Sequence, residues 1–311
     1  MRIDCDLHVI EPPDLWSDID LIGDGWSGLK FRRGGSLVPP EYITYPDPYQ
    51  YRDGIMQKYR DGFENSWDRD STLRAMDRMR VDQALLMPTR GLFVVTIGEE
   101  YGFLMRACRI YNEWIDKFTA PVSDRLLPVH LWDLISPVSD RAVAVVIRPQ
   151  AFQYVEAFPD VPLVLHEGTT PTDPCIGFGR TSNRLEAHSI SHPFEAMWSV
   201  LRLTMGGVLD RNPKLKVLIC EAGSWWFDGW LRHLDDEASG VNGYANYRQP
   251  HLPSHYASRI FITASPGSVT EQSVFGSDYP HGDSSYPHFP FYDEAYRFMS
   301  ANAQRFLHDT P

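Results

Sequence analysis

No apolar run in this sequence approaches the roughly 18 residues that a bilayer-spanning helix needs. The longest lies near Ala142–Ile147. The start, Met1-Arg2-Ile3-Asp4-Cys5-Asp6, carries charges where a secretion signal needs an apolar stretch, so neither a membrane span nor export is expected. Basic residues are in deficit: 29 Lys and Arg stand against 41 Asp and Glu, for a net charge of −12. Phosphate backbones require basic surface, so a nucleic-acid partner is not expected. Cysteine is scarce. The four, Cys5, Cys108, Cys175 and Cys220, form no C-x-x-C pair, which points to free thiols in a reducing cytoplasm. Cys5 and Cys220 fall inside apolar strand patterns and read as core fillers. A glycine-rich phosphate loop is also missing: the first strand runs into His8-Val9-Ile10-Glu11-Pro12-Pro13, which argues against a doubly wound dinucleotide fold. There is no internal repeat and no low-complexity tract.

What is present is ordinary globular composition, 43% hydrophobic and 23% charged, in 311 residues, enough for one large barrel. Short apolar runs recur with helical stretches between them. Arg2–Leu7, Val81–Met87, Arg125–Leu131, Ala144–Arg148, Pro162–His166, Lys216–Cys220, Arg259–Thr263 and Val274–Ser277 read as strands. Helices are expected over Ser71–Arg80 and Glu99–Phe118, from Pro193 to Asn212-Pro213, and from a Ser224 cap through Asp236. The Pro193 helix would carry an apolar stripe of Phe194, Met197, Trp198, Leu201, Met205 and Val208. Eight strands alternating with helices predict one (β/α)8 barrel spanning 1–311, with its site at the C-terminal ends of the strands. The segments near 133–143 and 264–272 are short for a parallel crossover. Residues 23–65, rich in Gly, Pro and Tyr, form an expected insertion over the catalytic face.

Chemistry gathers at the strand ends. Asp6 and His8 alternate at the end of the first strand and share a face. His166 ends the fifth, Glu221 follows the sixth, and Asp278 ends the eighth. Polar residues at the same end of four strands point to a site, because a barrel of this kind assembles catalysis there.

These motifs resemble the amidohydrolase-related branch of the amidohydrolase superfamily, the branch of aminocarboxymuconate-semialdehyde decarboxylase and the resorcylate-type decarboxylases. The resemblance rests on Ile3-Asp4-Cys5-Asp6-Leu7-His8-Val9-Ile10-Glu11-Pro12, His166-Glu167-Gly168, His192-Pro193-Phe194-Glu195, the stretch Gly207–Val217 leading into Glu221-Ala222-Gly223, and Gly276-Ser277-Asp278-Tyr279-Pro280-His281. It implies a divalent metal on Asp6, His8, His166 and Asp278, with Asp6 in place of the first His of a His-x-His pair. Glu221 stands where several relatives have a His. The family tends toward homodimers. Imidazole with carboxylate suits Zn, Mn or Fe.

Glu11, His192, Glu221 and His281 crowd the same mouth. They orient the ligands, contact the substrate or hold a second ion. Asp278, Glu221 and His192 are the candidates for proton transfer. Arg148, Trp225 and Tyr279 are candidates for binding a bulky carboxylic acid, Arg148 reading equally as a surface ion pair. The expected function is a metal-dependent hydrolase or non-oxidative decarboxylase of a carboxylated small molecule. A dinuclear non-haem iron monooxygenase on the same barrel is the alternative, and a binding protein without turnover is a third class.

Overall fold

The computed structural model describes residues 1–19, 21–24, 28–33, 36–37, 52–94, 101–168, 175–177, 180–240, 247–282, 284–288 and 290–308. Strands β1 (Ile3–Val9), β2 (Gln83–Pro88), β3 (Leu126–Leu131), β4 (Ala144–Ile147), β5 (Leu163–His166), β6 (Val217–Cys220), β7 (Ile260–Thr263) and β8 (Ser273–Val274) pair in chain order, every pair parallel. Nearly every residue in them is buried, as a parallel strand covered on both faces requires. Alternate residues serve different layers. Val146, Val164, Leu218 and Phe261 join one apolar cluster with Leu7 and Leu85. Val145, Leu165, Ile219 and Ile262 join another, against the outer helices.

The ring is closed by backbone. Beyond β8 the chain runs on beside β1, with Cys5 N donating to Phe275 O (2.8 Å), Asp278 N to Asp6 O (2.8 Å) and His8 N to Tyr279 O (2.6 Å). The expected (β/α)8 barrel is therefore the architecture, although two crossovers carry no helix among the described residues. Between β3 and β4, Asp133 folds the chain by accepting from Ile135 N, Ser136 N and Ser136 Oγ. Between β7 and β8, Ser224 holds the connection: its hydroxyl donates to Ser268 O and accepts from Ser265 N. Ser224 was expected to cap a helix. That helix spans Phe227–Ala238 and starts after Trp226.

The outer helices include Arg69–Met79, whose N-cap Asp68 accepts from Ser71 N, and Tyr101–Thr119. The first two residues of the expected Glu99–Phe118 helix lie outside the described residues. Pro193 does not begin its helix. The helix runs Arg184–Thr204 with Pro193 inside, and a separate turn follows at Val208–Arg211. Its start is fixed by Asn183, whose side chain accepts from Glu186 N while Glu186 Oε2 accepts from Ser182 N. This reciprocal cap outweighs the preference of proline for a first turn. Phe194, placed in the apolar stripe, is 46% exposed.

Within 23–65 lie parts of a small antiparallel sheet (Leu21–Asp24, Gly28–Arg33, Ser36–Leu37) and helices Arg52–Lys58 and Arg60–Glu64. Residues 38–51 lie outside the described residues. Lys58 Nζ donates to Ser284 O (2.7 Å) and Tyr59 OH to His281 O (2.5 Å), tying these helices to the loop after β8. No helix of the described residues is long and apolar enough to cross a membrane.

Candidate metal centre

The site starts from an irregularity. The register of β1 against β2 shifts between Asp4 and Leu7. There Asp6 N donates to Asp4 Oδ1, which also accepts from Ser277 N across the barrel seam, both at 3.0 Å. One fully buried carboxyl thus binds the backbone beside two of the expected ligands. Burial pushes Asp4 up to about 7, even against those hydrogen bonds. Gly276 permits the close approach. A Cβ there would lie 2.6 Å from Asp6 Cβ and 2.8 Å from Thr263 Cγ2. Glu221 and Asp278 both adopt φ of 54°, a left-handed backbone that costs a residue with a side chain and concentrates at functional sites.

The side chains then converge. His166 Nε2 lies 3.1 Å from His8 Nε2 and 3.4 Å from Asp6 Oδ1, and His8 Nε2 lies 3.3 Å from Asp6 Oδ1 and 3.6 Å from Asp278 Oδ1. His281 Nδ1 meets Asp278 Oδ1 at 2.6 Å and Glu221 Oε1 at 3.5 Å, while Glu221 Oε2 lies 3.4 Å from His192 Nδ1 and 3.9 Å from His166 Nε2.

Tautomers decide what this arrangement can hold. His8 Nδ1 is 2.8 Å from Pro88 O and His166 Nδ1 is 2.7 Å from Glu167 O. A carbonyl oxygen only accepts, so both Nδ1 atoms carry hydrogen. In the neutral rings the two Nε2 lone pairs face each other at 3.1 Å, beside the buried Asp6 Oδ1, which receives no hydrogen bond. Three lone-pair donors pointed at one spot require a cation or a proton. The donor set, imidazole with carboxylate and carbonyl-oriented rings, fits a divalent transition metal.

Electrostatics agree. Burial opposes charge on His166, but the carboxylates of Glu221 and Asp6 outweigh it and push this residue up to about 9. Burial, with His281 and His166 alongside, pushes His8 down to about 4. Burial also pushes His192 down to about 4 against the pull of Glu221. Burial acts to raise Asp6 and Glu221, yet the surrounding imidazoles hold Asp6 low and Glu221 well below the usual carboxylate range. A metal must therefore displace the His166 proton. Affinity for Mn²⁺ or Zn²⁺ is expected to be flat above about pH 9 and to fall roughly tenfold per pH unit below it. Competition titration against a chelator measures this; a pH-independent affinity across that range would refute the assignment.

No protein-family model matches the chain, and no curated protein matches it by sequence. Solved structures do. An amidohydrolase from Mycobacterium avium subsp. paratuberculosis superposes with a TM-score of 0.67 at 16% identity, covering 99% of each chain. A dihydroxybenzoic acid decarboxylase from Polaromonas, with bound manganese and the inhibitor 2-nitroresorcinol, gives 0.66 at 14%, covering 98% of this chain and 96% of that one. A 2,6-dihydroxybenzoate decarboxylase complexed with 2,6-dihydroxybenzoate gives 0.65 at 16%, covering 98% of each.

The chain shares the (β/α)8 barrel fold of these structures.

On this barrel the expected residues sort by position. Asp6, His8 and His166 form one donor group, and Asp278 stands with His8, Glu221 and His281 in a second. His192 reaches the cluster from helix Arg184–Thr204 through Glu221. Glu11 does not join it. Its two oxygens accept from Arg90 N (2.8 Å) and Gly91 N (2.9 Å), because the turn after β2 leaves those amides pointing inward. Arg148 is not on the surface. It is fully buried and pairs with Glu167 Oε1 at 2.8 Å, while Gln150 Nε2 donates to Glu167 Oε2 at 2.6 Å. Tyr279 is buried among Tyr59, Trp67 and Tyr286, since its residue type favours that aromatic layer over the polar mouth. Trp225 is 65% exposed, whereas Trp226 and Trp230 pack and donate to Ala222 O and Met197 O.

Removing one partner of the Arg148–Glu167 pair strands the other charge in the interior. Arg148→Met is expected to cost about 3–5 kcal/mol of stability, read by denaturant unfolding; a loss below about 1 kcal/mol would show that the pair is dispensable. Sequence reading missed Asp4, Thr89 and the Glu167–Gln150 contact. For Asp4 a signal existed: a carboxylate two residues before Asp6, set between Ile3 and Cys5 on a strand, needs an internal partner.

Proposed function

We propose that this protein is a divalent-metal-dependent enzyme of the non-oxidative decarboxylase or hydrolase type, acting on a carboxylated organic small molecule. The observation that carries the reading is the pair of facing, carbonyl-oriented imidazoles of His8 and His166 around the buried Asp6. Decarboxylation is the version supported by structures named for that activity, which align along almost the whole chain. When bound on Asp6, His8, His166 and Asp278, a divalent cation supplies Lewis acidity toward substrate oxygens.

The chain's own groups move the proton. Asp278, 13% exposed, is held by His281 Nδ1 at 2.6 Å, and Thr89 Oγ1 steadies the far side of that ring at 3.0 Å. In decarboxylation the bond to the carboxyl carbon breaks, carbon dioxide leaves, and Asp278 delivers a proton to the vacated carbon. In hydrolysis the same carboxylate takes a proton from water, with His281 as relay. Glu221 and His192 set the charge around this pair.

The test is chelation and metal readdition without oxygen, followed by a panel of hydroxylated aromatic carboxylates, amides and esters. Metal-dependent release of carbon dioxide or of a hydrolysis product supports the reading. Turnover that appears only with iron and consumes oxygen replaces it with the monooxygenase alternative. Tight metal binding with no turnover on any member, retained in Asp278→Asn, replaces it with a binding protein.

A further inference from the structure

We propose that the outer face of β3, β4 and β5, where the barrel lacks two covering helices, is the contact surface for a second copy of this chain. The inference is independent of the metal centre and of the reaction.

Missing cover is the first argument. A parallel strand needs both faces covered, and in a (β/α)8 barrel a helix supplies the outer cover. Two consecutive crossovers lack that helix here. Residues 132–143, between β3 and β4, form the loop folded by Asp133, and the connection from β4 to β5 holds only the short 3₁₀ turn Pro149–Tyr154. Trp132 and Phe152 fill part of the gap and keep Val145 and Ile147 buried. Two adjoining cavities remain, of about 450 and about 1060 Å³, and residues of the segment Trp132–Ser139 line both.

Exposed apolar surface is the second. Around these cavities Ile135 is 70% exposed, Tyr154 68%, Tyr101 41% and Met105 37%. Single exposed apolar residues are ordinary, whereas a group of them around a hollow marks an association surface.

Charge identifies the occupant. Arg106 and Arg109, on helix Tyr101–Thr119, border the smaller cavity. Asp116 on the same helix is taken up by His130 at 2.9 Å and Arg141 at 3.4 Å, and Glu113 engages Arg109 alone, at 3.5 Å. Arg106 makes no ion pair among the described residues. Asp140, Glu156 and Asp160 border the larger cavity, which has no basic residue in its described walls, and none of the three makes an ion pair among the described residues. Each copy thus presents a basic border and an acidic border to either side of the shared segment. A two-fold axis along that segment lays the basic border of each copy on the acidic border of the other, and both contacts close at once. Any other protein would need the same two signs in the reverse order, which a rotated copy has by construction. The net charge of −12 makes this order a requirement, since two such chains repel unless opposite signs meet at the contact. Tyr101, Met105, Ile135 and Tyr154 supply the apolar centre that such an interface buries.

The experiment is sedimentation equilibrium on the full chain at micromolar concentrations, for the parent and for two charge-reversed variants. One variant combines Arg106→Glu and Arg109→Glu, and the other combines Asp140→Arg, Glu156→Arg and Asp160→Arg. All five side chains are exposed, and circular dichroism confirms the fold of each variant. The parent is expected to be a dimer. Either variant alone is expected to dissociate on the order of 10²-fold more readily, because like charges then face each other. An equimolar mixture of the two is expected to recover a mixed dimer, in which both contacts again oppose in sign. A monomeric parent overturns the inference. A dimer that both variants keep unchanged overturns it too, by placing association on another face. Variants that dissociate and do not recover on mixing overturn the pairing of the two borders.

Discussion

Replacing His166 by alanine is expected to weaken divalent-metal binding by a factor on the order of 10²–10³. Structural zinc sites with four ligands release roughly 10–16 kcal/mol, or about 2.5–4 kcal/mol per ligand, and 1.4 kcal/mol is tenfold in affinity. His166 deserves that full share because its ring is fixed before any metal arrives. Glu167 O accepts from Nδ1 at 2.7 Å, and Arg148 and Gln150 hold the Glu167 side chain in turn. In the presence of chelator the variant is expected to melt below the parent, since the substitution leaves a cavity and removes the protonated imidazole that pairs with Asp6, so metal affinity is compared on variant protein that circular dichroism shows to be folded. Glu11→Gln is the contrasting case. Its oxygens accept from the amides of Arg90 and Gly91 beside the Arg90 charge, and it belongs to neither donor group, so metal affinity should change little while stability falls. If His166→Ala binds metal as the parent does, or Glu11→Gln loses it, the centre has been assigned to the wrong residues.

The second large effect is expected at Asp4 and carries a pH signature. Burial raises this carboxyl from 3.8 to about 7. The folded protein thus binds more protons at Asp4 than the unfolded chain does across that window, and the metal-free fold loses stability as pH rises through it. The loss is complete above about pH 7 and absent below about pH 4. At 1.36 kcal/mol per pH unit it amounts to about 4 kcal/mol. Asp4→Asn keeps an acceptor for Asp6 N and Ser277 N without the charge. In chelator-treated protein the variant should therefore match the parent near pH 4 and exceed it by up to about 4 kcal/mol above pH 7. Asp4→Leu strands both amides at the seam, and at about 1–3 kcal/mol for each it should be less stable than Asp4→Asn at every pH and less stable than the parent near pH 4. Denaturant unfolding at several pH values checks all three proteins. A parent and Asp4→Asn gap that does not widen with pH would show that Asp4 is not the buried acid described.

Most of the barrel could be read along the chain. Strands such as Leu163–His166 and Val217–Cys220 are short apolar runs buried on both faces, and a parallel barrel is built of such runs. The period of two put Asp6 and His8 on one face, and the placement of polar groups at strand ends picked out the region of His166, Glu221 and Asp278. Where local signals competed, the reading erred. Pro193 looked like a first turn, but the Asn183 and Glu186 cap ten residues earlier sets the start.

What the sequence by itself determined is which residues form strands and which of them stand at the strand ends, because both depend on periodicity within a few residues. Only the closed ring decided who meets whom. Arg148 finds Glu167, Glu11 finds the turn after β2, Ser224 binds the connection after β7, and Asp4 joins β1 to the segment leading to Asp278. Each partnership depends on register and ring closure between segments distant along the chain, and a polar side chain is satisfied by whichever group the packing brings within reach.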